Sequence, residues 1–235
     1  FNVNSARRLK LDANSVISLS NNDGNSSNTI FGASAWQQSS NVGADYNTIF
    51  GQEAMGAGNI NNGGTSTNSV RNTGIGFAVM RSITTGSSNV AVGADSLYSL
   101  TTASDNIAIG RSTMGSTTTG GANTAVGHYA LNGDTDGDGA DNTAIGHKAL
   151  HDAVSPSKNV AIGDSAMRVM NGTANGIANC VAIGANAFYG DATNTTTGAN
   201  GTIAIGKDSL KALTTGVGNI SVGLESSKVN TTGYK

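Results

Sequence analysis

The sequence predicts an all-β fold, a parallel β-roll or solenoid of about eleven repeats of 17–25 residues. Asn-Thr-Ala-Ile-Gly and its close relatives recur along the chain, closing at Gly32, Gly51, Gly76, Gly93, Gly110, Gly127, Gly146, Gly163, Gly184, Gly206 and Gly223. The intervals between these glycines are 19, 25, 17, 17, 17, 19, 17, 21, 22 and 17 residues, so 17 is the basic unit and each departure is an insertion. Self-similarity at this period marks stacked architectures in which no unit buries its own apolar face alone. Composition agrees: 37% apolar, 12% charged, a net charge of −2 and 33 glycines with one proline. Disordered chains combine low hydrophobicity with high net charge, and this one does not.

Before the repeats, residues 1–27 form a lead-in or connector strand; the repeat domain spans 28–227, and 228–235 form a tail. Within a unit, Asn89 opens and Val90-Ala91-Val92 alternates with the period of two of a strand. Gly93 then closes the strand with backbone angles that side chains resist. Three residues on comes a small residue followed by a large apolar one, Ser96-Leu97 here and Ala35-Trp36, Val79-Met80, Ala149-Leu150 and Ala187-Phe188 elsewhere. A strand or turn is expected for this second piece, since five residues are too few for an isolated helix. The last unit has Ser226-Ser227 in the same slot, a polar pair expected to cap that end.

Stacking at about 4.8 Å per strand gives a rod on the order of 50 Å long. Asn28, Asn47, Asn72, Asn89, Asn106, Asn123, Asn142, Asn159 and Asn219 share one slot, where stacked amides are expected to hydrogen-bond from layer to layer. Cys180 occupies the same slot and is expected to be buried; as the sole cysteine it forms no intrachain disulfide. If the central Ala faces inward, its neighbours face outward: Val90, Ile107, Val92, Ile109, Ile145, Val160, Ile162, Ile183, Ile203, Ile205, Ile220 and Val222 form an apolar stripe. Monomers rarely expose such a surface. Other copies of the chain around an axis are the expected cover, since cyclic homo-oligomers bury identical surfaces.

The Asn-x-Ala-Ile-Gly-x-x-Ala module resembles the head repeats of trimeric autotransporter adhesins, which form left-handed parallel β-rolls. Its irregular unit lengths, the Thr-Thr-Gly linkers such as Thr84-Thr85-Gly86, and the segment Ser15-Val16-Ile17-Ser18-Leu19-Ser20-Asn21-Asn22-Asp23 are similar to bacteriophage tail-fibre proteins. The resemblance implies a trimeric fibre segment that supports or presents host-receptor binding. Its partners would be a host cell-surface glycan or protein and other tail-fibre segments or virion proteins, and its location the virion, outside cells. The alternative is the head of a trimeric adhesin on the bacterial outer surface. A carbohydrate-degrading tailspike is a third reading. The opening at Phe1 reads as a processed product or fragment.

The remaining chemistry is sparse. Asn132 to Asp141 carries Asp134, Asp136, Asp138 and Asp141, which match the first half of a Ca2+ loop. The bidentate Glu expected at its twelfth position falls on Ile145, so a partial Ca2+ site stands against a solvated acidic turn. His128 and His147 follow consecutive repeat glycines and are expected to form a surface ladder. No catalytic constellation is visible, so no enzyme is expected, and the paired carboxylates of glycoside hydrolysis occur densely only in that acidic loop. Clustered Lys and Arg for nucleic acid are missing from the repeats, and no apolar run approaches the about 20 residues of a membrane helix. Trp36, Tyr46, Tyr98, Tyr129, Phe188 and Tyr189 are the aromatic candidates for receptor contact, with core packing the plainer reading of Trp36 and Phe188.

Overall fold

The computed structural model describes residues 2–3, 7–8, 10–11, 17–18, 27–36, 44–56, 69–133, 139–168, 177–190 and 198–232. Four short strands come first: β1 (Asn2–Val3), β2 (Arg7–Arg8), β3 (Lys10–Leu11) and β4 (Ile17–Ser18). They pair antiparallel, β1 with β2 and β3 with β4, apart from the main sheet. Eleven three-residue strands follow: β5 (Thr29–Phe31), β6 (Thr48–Phe50), β7 (Thr73–Ile75), β8 (Val90–Val92), β9 (Ile107–Ile109), β10 (Thr124–Val126), β11 (Thr143–Ile145), β12 (Val160–Ile162), β13 (Val181–Ile183), β14 (Ile203–Ile205) and β15 (Ile220–Val222). They form one parallel sheet in sequence order, a β-solenoid whose coils each contribute one strand. No helix occurs among the described residues.

Register is the same in every coil. Thr48 pairs with Thr73 across the 25-residue interval, as Val90 pairs with Ile107 across a 17-residue one. Each of the five longer units contains one of the segments 37–43, 57–68, 134–138, 169–176 and 191–197, which lie outside the described residues. In every case the segment begins five to seven residues after one repeat glycine and ends eight or nine before the next. In the 17-residue units the same stretch of the repeat holds Thr84-Thr85, Thr101-Thr102 and Thr118-Thr119, which form a corner of the coil. The Thr corner has its own ladder: Thr84 and Thr101 each donate both N–H and Oγ1 to the next coil's Thr carbonyl.

The coil is thin because its strand contributes alanine to the inside. Ala91, Ala108, Ala125, Ala144, Ala161, Ala182 and Ala204 are fully buried, and the larger volumes come from the opposite wall, at Met55, Met80, Leu97, Met114, Leu150, Met167 and Phe188. Volume is balanced coil by coil. Gly74 replaces the strand alanine where Val79 replaces the usual small residue, and a Cβ on Gly74 would fall 3.2 Å from Val79 Cγ1 and 3.0 Å from Met80 Cε. Ser96 and Ser209, small but polar, stay buried by donating Oγ to the backbone of the next coil at 3.1 Å.

The segment after each repeat glycine is a turn. The residues two and four positions after the glycine have positive φ, 50° and 51° at Ser112 and Met114 and 53° and 47° at Asn186 and Phe188. Left-handed backbone costs an L-residue roughly 1–2 kcal/mol. Here it turns successive N–H groups toward opposite neighbours: Ser112 N donates back to Ala94 O at 2.9 Å, and Met114 N donates forward to Ala130 O at 3.0 Å. Those interlayer bonds, with burial of the apolar side chain at the second position, offset the strain.

The Asn slot is a continuous amide ladder. Asn106 Nδ2 donates to Asn89 Oδ1 at 3.1 Å and Asn123 Nδ2 donates to Asn106 Oδ1 at 3.2 Å, with the same step repeated from Asn28 to Asn159. Each Oδ1 also accepts the next Asn backbone N–H, so the buried amides are satisfied. The ladder passes to Cys180, whose N–H donates to Asn159 Oδ1 at 3.0 Å. Cys180 is buried as expected, and burial pushes its thiol pKa up.

Candidate interaction surfaces

Two surfaces of the rod carry its side-chain chemistry. On the outside of the sheet, the residue before each repeat glycine is apolar in all eleven coils, from Phe31 and Phe50 through Ile75, Val92 and Ile109 to Val222. The residue two before it is Thr, Val or Ile throughout. The strands alternate accordingly, with a buried centre and partly exposed flanks. The predicted stripe therefore faces outward as expected, half-buried in the middle coils and most exposed at Ile220 and Val222. It is longer than the Val and Ile pattern suggested, because Phe31 and Phe50 extend it, their rings stacked at 5.0 Å and 6°.

The turns carry a second, polar and aromatic surface. His128, His147 and Asp164 follow consecutive repeat glycines, and His147 Nδ1 contacts Asp164 Oδ1 at 2.8 Å. The expected His128–His147 ladder is present with ring centroids 5.6 Å apart. His128 also stacks on Tyr129 at 4.1 Å, and Tyr129 meets the edge of His151 at 5.8 Å. The contacts continue from His151 to Asp152 at 2.7 Å and from Asp152 to Arg168 at 3.7 Å. Arg168 then donates Nη1–H to Tyr189 Oη at 3.1 Å. Partial burial, with His147, Arg111 and Lys148 nearby, holds the His128 pKa below the ordinary imidazole value. Further along, burial raises and the Lys211 and Asn186 hydrogen bonds lower the Asp208 pKa, and the net shift is downward.

The aromatic candidates divide. Trp36 and Phe188 are core residues. Tyr46, Tyr98 and Tyr189 each face an arginine from an adjacent coil, with Arg71, Arg81 and Arg168 lying 5.8, 5.7 and 5.8 Å from the ring centroids. Arg81 also donates to Tyr98 Oη at 2.6 Å. Cation–π contacts of this kind are worth about 0.5–1 kcal/mol at exposed sites. The signal for these clips in the sequence is positional: each Arg and its Tyr hold the same position in consecutive repeats.

Asp134, Asp136 and Asp138 of the candidate Ca2+ loop lie outside the described residues. Asp141 belongs to the regular coil, one residue before Asn142, with φ 61° and its N–H on Gly121 O at 3.2 Å. Other coils place Arg71, Ser88, Asp105, Ala122 and Lys158 at that position in the same left-handed conformation, so its geometry is that of the repeat. Among the described residues, no three His, Cys, Asp or Glu side chains are grouped to hold a metal, and no helix is long and apolar enough to cross a membrane.

Compared with known protein families, with curated proteins and with solved structures, the chain matches none.

Proposed function

We propose that this chain is a structural and adhesive segment of a phage tail fibre, working as a homotrimeric rod that supports or presents host-receptor contacts. The observation that carries the reading is the uninterrupted apolar column on the outside of the sheet, one residue per coil over eleven coils. A column on the order of 50 Å long is larger than isolated soluble chains leave wet. Two sister copies related by a threefold axis would cover it with the same surface. The core supports a mechanical role, because every coil grips the next through backbone hydrogen bonds, reinforced by the Asn amides from Asn28 to Asn159 and by the Thr corner where it occurs.

Adhesion would then fall to the turn surface, where Tyr129, Tyr189 and the histidines follow the repeat glycines, and to Tyr46, exposed one residue before the Asn slot. Three chains multiply such weak sites, and avidity raises affinity without new contacts. The test is oligomeric state by light scattering for the native chain and for Val92→Asp, a half-buried site in the middle of the column. The expected result is a mass three times that of the chain, lost in the variant while each chain keeps its β-structure by circular dichroism. A folded native monomer would overturn the reading.

A further inference from the structure

β15 has a neighbour, β14, on one side only. Its free side displays the surface that each of β5 to β14 covers with the following coil. In those coils the first strand residue donates N–H to the carbonyl of the next coil's residue in the Asn slot, as Ile203 does to Asn219 at 2.7 Å, and the residue four after the glycine donates forward, as Leu210 does to Ser226 at 2.9 Å. The equivalent donors of the last coil are the amides of Ile220 and Ser227; the equivalent acceptors are the carbonyls of Val222 and Leu224. None of these makes an interlayer bond to another described residue.

The apolar side chains agree. Ile220, Val222, Leu224 and Val229 are 72%, 63%, 73% and 86% exposed, against 40% for Ile109 within the stack. Ser221, Ser226 and Ser227 stand here where other coils bury the strand alanine and the small-large apolar pair, so the polar slot and these exposed apolar side chains share one end. Gly223 gives the sharpest sign. At the ten preceding repeat glycines an added Cβ would fall 2.0–2.8 Å from the carbonyl oxygen of the next repeat glycine, whereas at Gly223, with the same backbone at φ 128°, it meets only Ser226 Cβ at 3.8 Å. Space for an incoming carbonyl is open where the other coils have one.

We propose that this edge is a docking surface for a polypeptide segment bearing the chain's own pattern, Asn-x-x-x-Gly-x-x-small, laid parallel to β15 and in register with it. Its Asn N–H and side-chain amide would meet Asn219 Oδ1, and its Asn carbonyl the Ile220 N–H. Its glycine N–H would meet the Val222 carbonyl, and the N–H two residues later the Leu224 carbonyl. The ten coil-to-coil contacts within the molecule supply the backbone geometry and the seven Asn–Asn steps from Asn28 to Asn159 the amide geometry, independently of any role as a fibre.

The test titrates a labelled peptide of residues 89–122, two regular coils, onto the full chain, following anisotropy and hydrogen exchange at Ile220 and Ser227. Saturable binding with at least tenfold slower exchange at both amides is expected. A Gly223→Ala chain, whose methyl would occupy the place of the incoming carbonyl, should bind at least tenfold more weakly, as should Val222→Lys, which leaves the backbone unchanged. Absence of binding by the native chain overturns the proposal. So does equal binding of a peptide with its Asn residues replaced by Ala and its repeat glycines by Val, because the edge would then be a generic apolar surface.

Discussion

The carbonyl oxygen of Gly146 lies 2.4 Å from the point where a side chain on Gly127 would begin. Gly127 also has φ 136°, so two independent constraints meet at one residue. Gly127→Ala combines backbone strain of about 1–2 kcal/mol with overpacking of about 1–3 kcal/mol. A loss of about 3 kcal/mol is expected in urea unfolding, with less than half that for Gly223→Ala, which has the strain without the clash. Equal losses would show that the packing between coils is looser than these distances require.

Asn106→Ala should be nearly as costly, for a different reason. Asn106 Oδ1 accepts from Asn123 N at 3.0 Å and Nδ2 at 3.2 Å, and its own amide donates to Asn89 Oδ1 and to Gly120 O. Each buried group left without a partner costs about 1–3 kcal/mol. A destabilisation of about 3 kcal/mol is expected with faster exchange at the Asn123 amide, whereas Asn219→Ala, in the last coil, should cost about 1 kcal/mol or less.

Acidification should weaken the fold through His128. Its pKa is lowered by burial first and then by His147, Arg111 and Lys148, so the unfolded chain binds its proton more readily than the folded one. The stability this group leaves intact above about pH 7 is lost as pH falls through the ordinary imidazole value of about 6.5, and the loss is complete below the lowered folded value. Urea midpoints at pH 8, 6.5 and 5 should decline less steeply for His128→Gln than for the native chain. His151, Asp152 and Asp164 on neighbouring turns are common to both chains, and the difference reports His128 together with its repulsion from His147.

Deletion of residues 90–106 should leave a folded chain. Asn89 and Asn106 fill the same slot, so the cut joins Asn89 to Ile107 in the order every coil uses. The rod should shorten by about 4.8 Å with its circular dichroism spectrum unchanged, which small-angle X-ray scattering can follow. Deleting ten residues from the same stretch should instead destabilise the chain, because the seven residues left are too few to close a coil that takes at least 17.

The parts of the fold written in repetition were legible from sequence. Eleven glycines, the Asn slot and the small-large apolar pair mark positions that recur because each contacts its own image one coil away, so one local rule determines the long-range pairing. Backbone handedness was not legible. Nothing in Met114 or Phe188 announces a positive φ, since these residues resist it and adopt it only because the turn's amides find partners above and below. The outer column was underestimated for a related reason: Phe31 and Phe50 break the β-branched pattern while keeping its geometry. On the turn surface, the Arg–Tyr clips link positions that look unrelated until consecutive repeats are aligned.

The five longer units all carry their additional residues in one stretch of the repeat, between the turn after one glycine and the Asn slot before the next, and the sheet pairing does not change across them. Length there is uncoupled from the architecture. Unit length varies from 17 to 25 residues while the outer column keeps its register. Such a molecule can diversify what it displays without renegotiating how it folds.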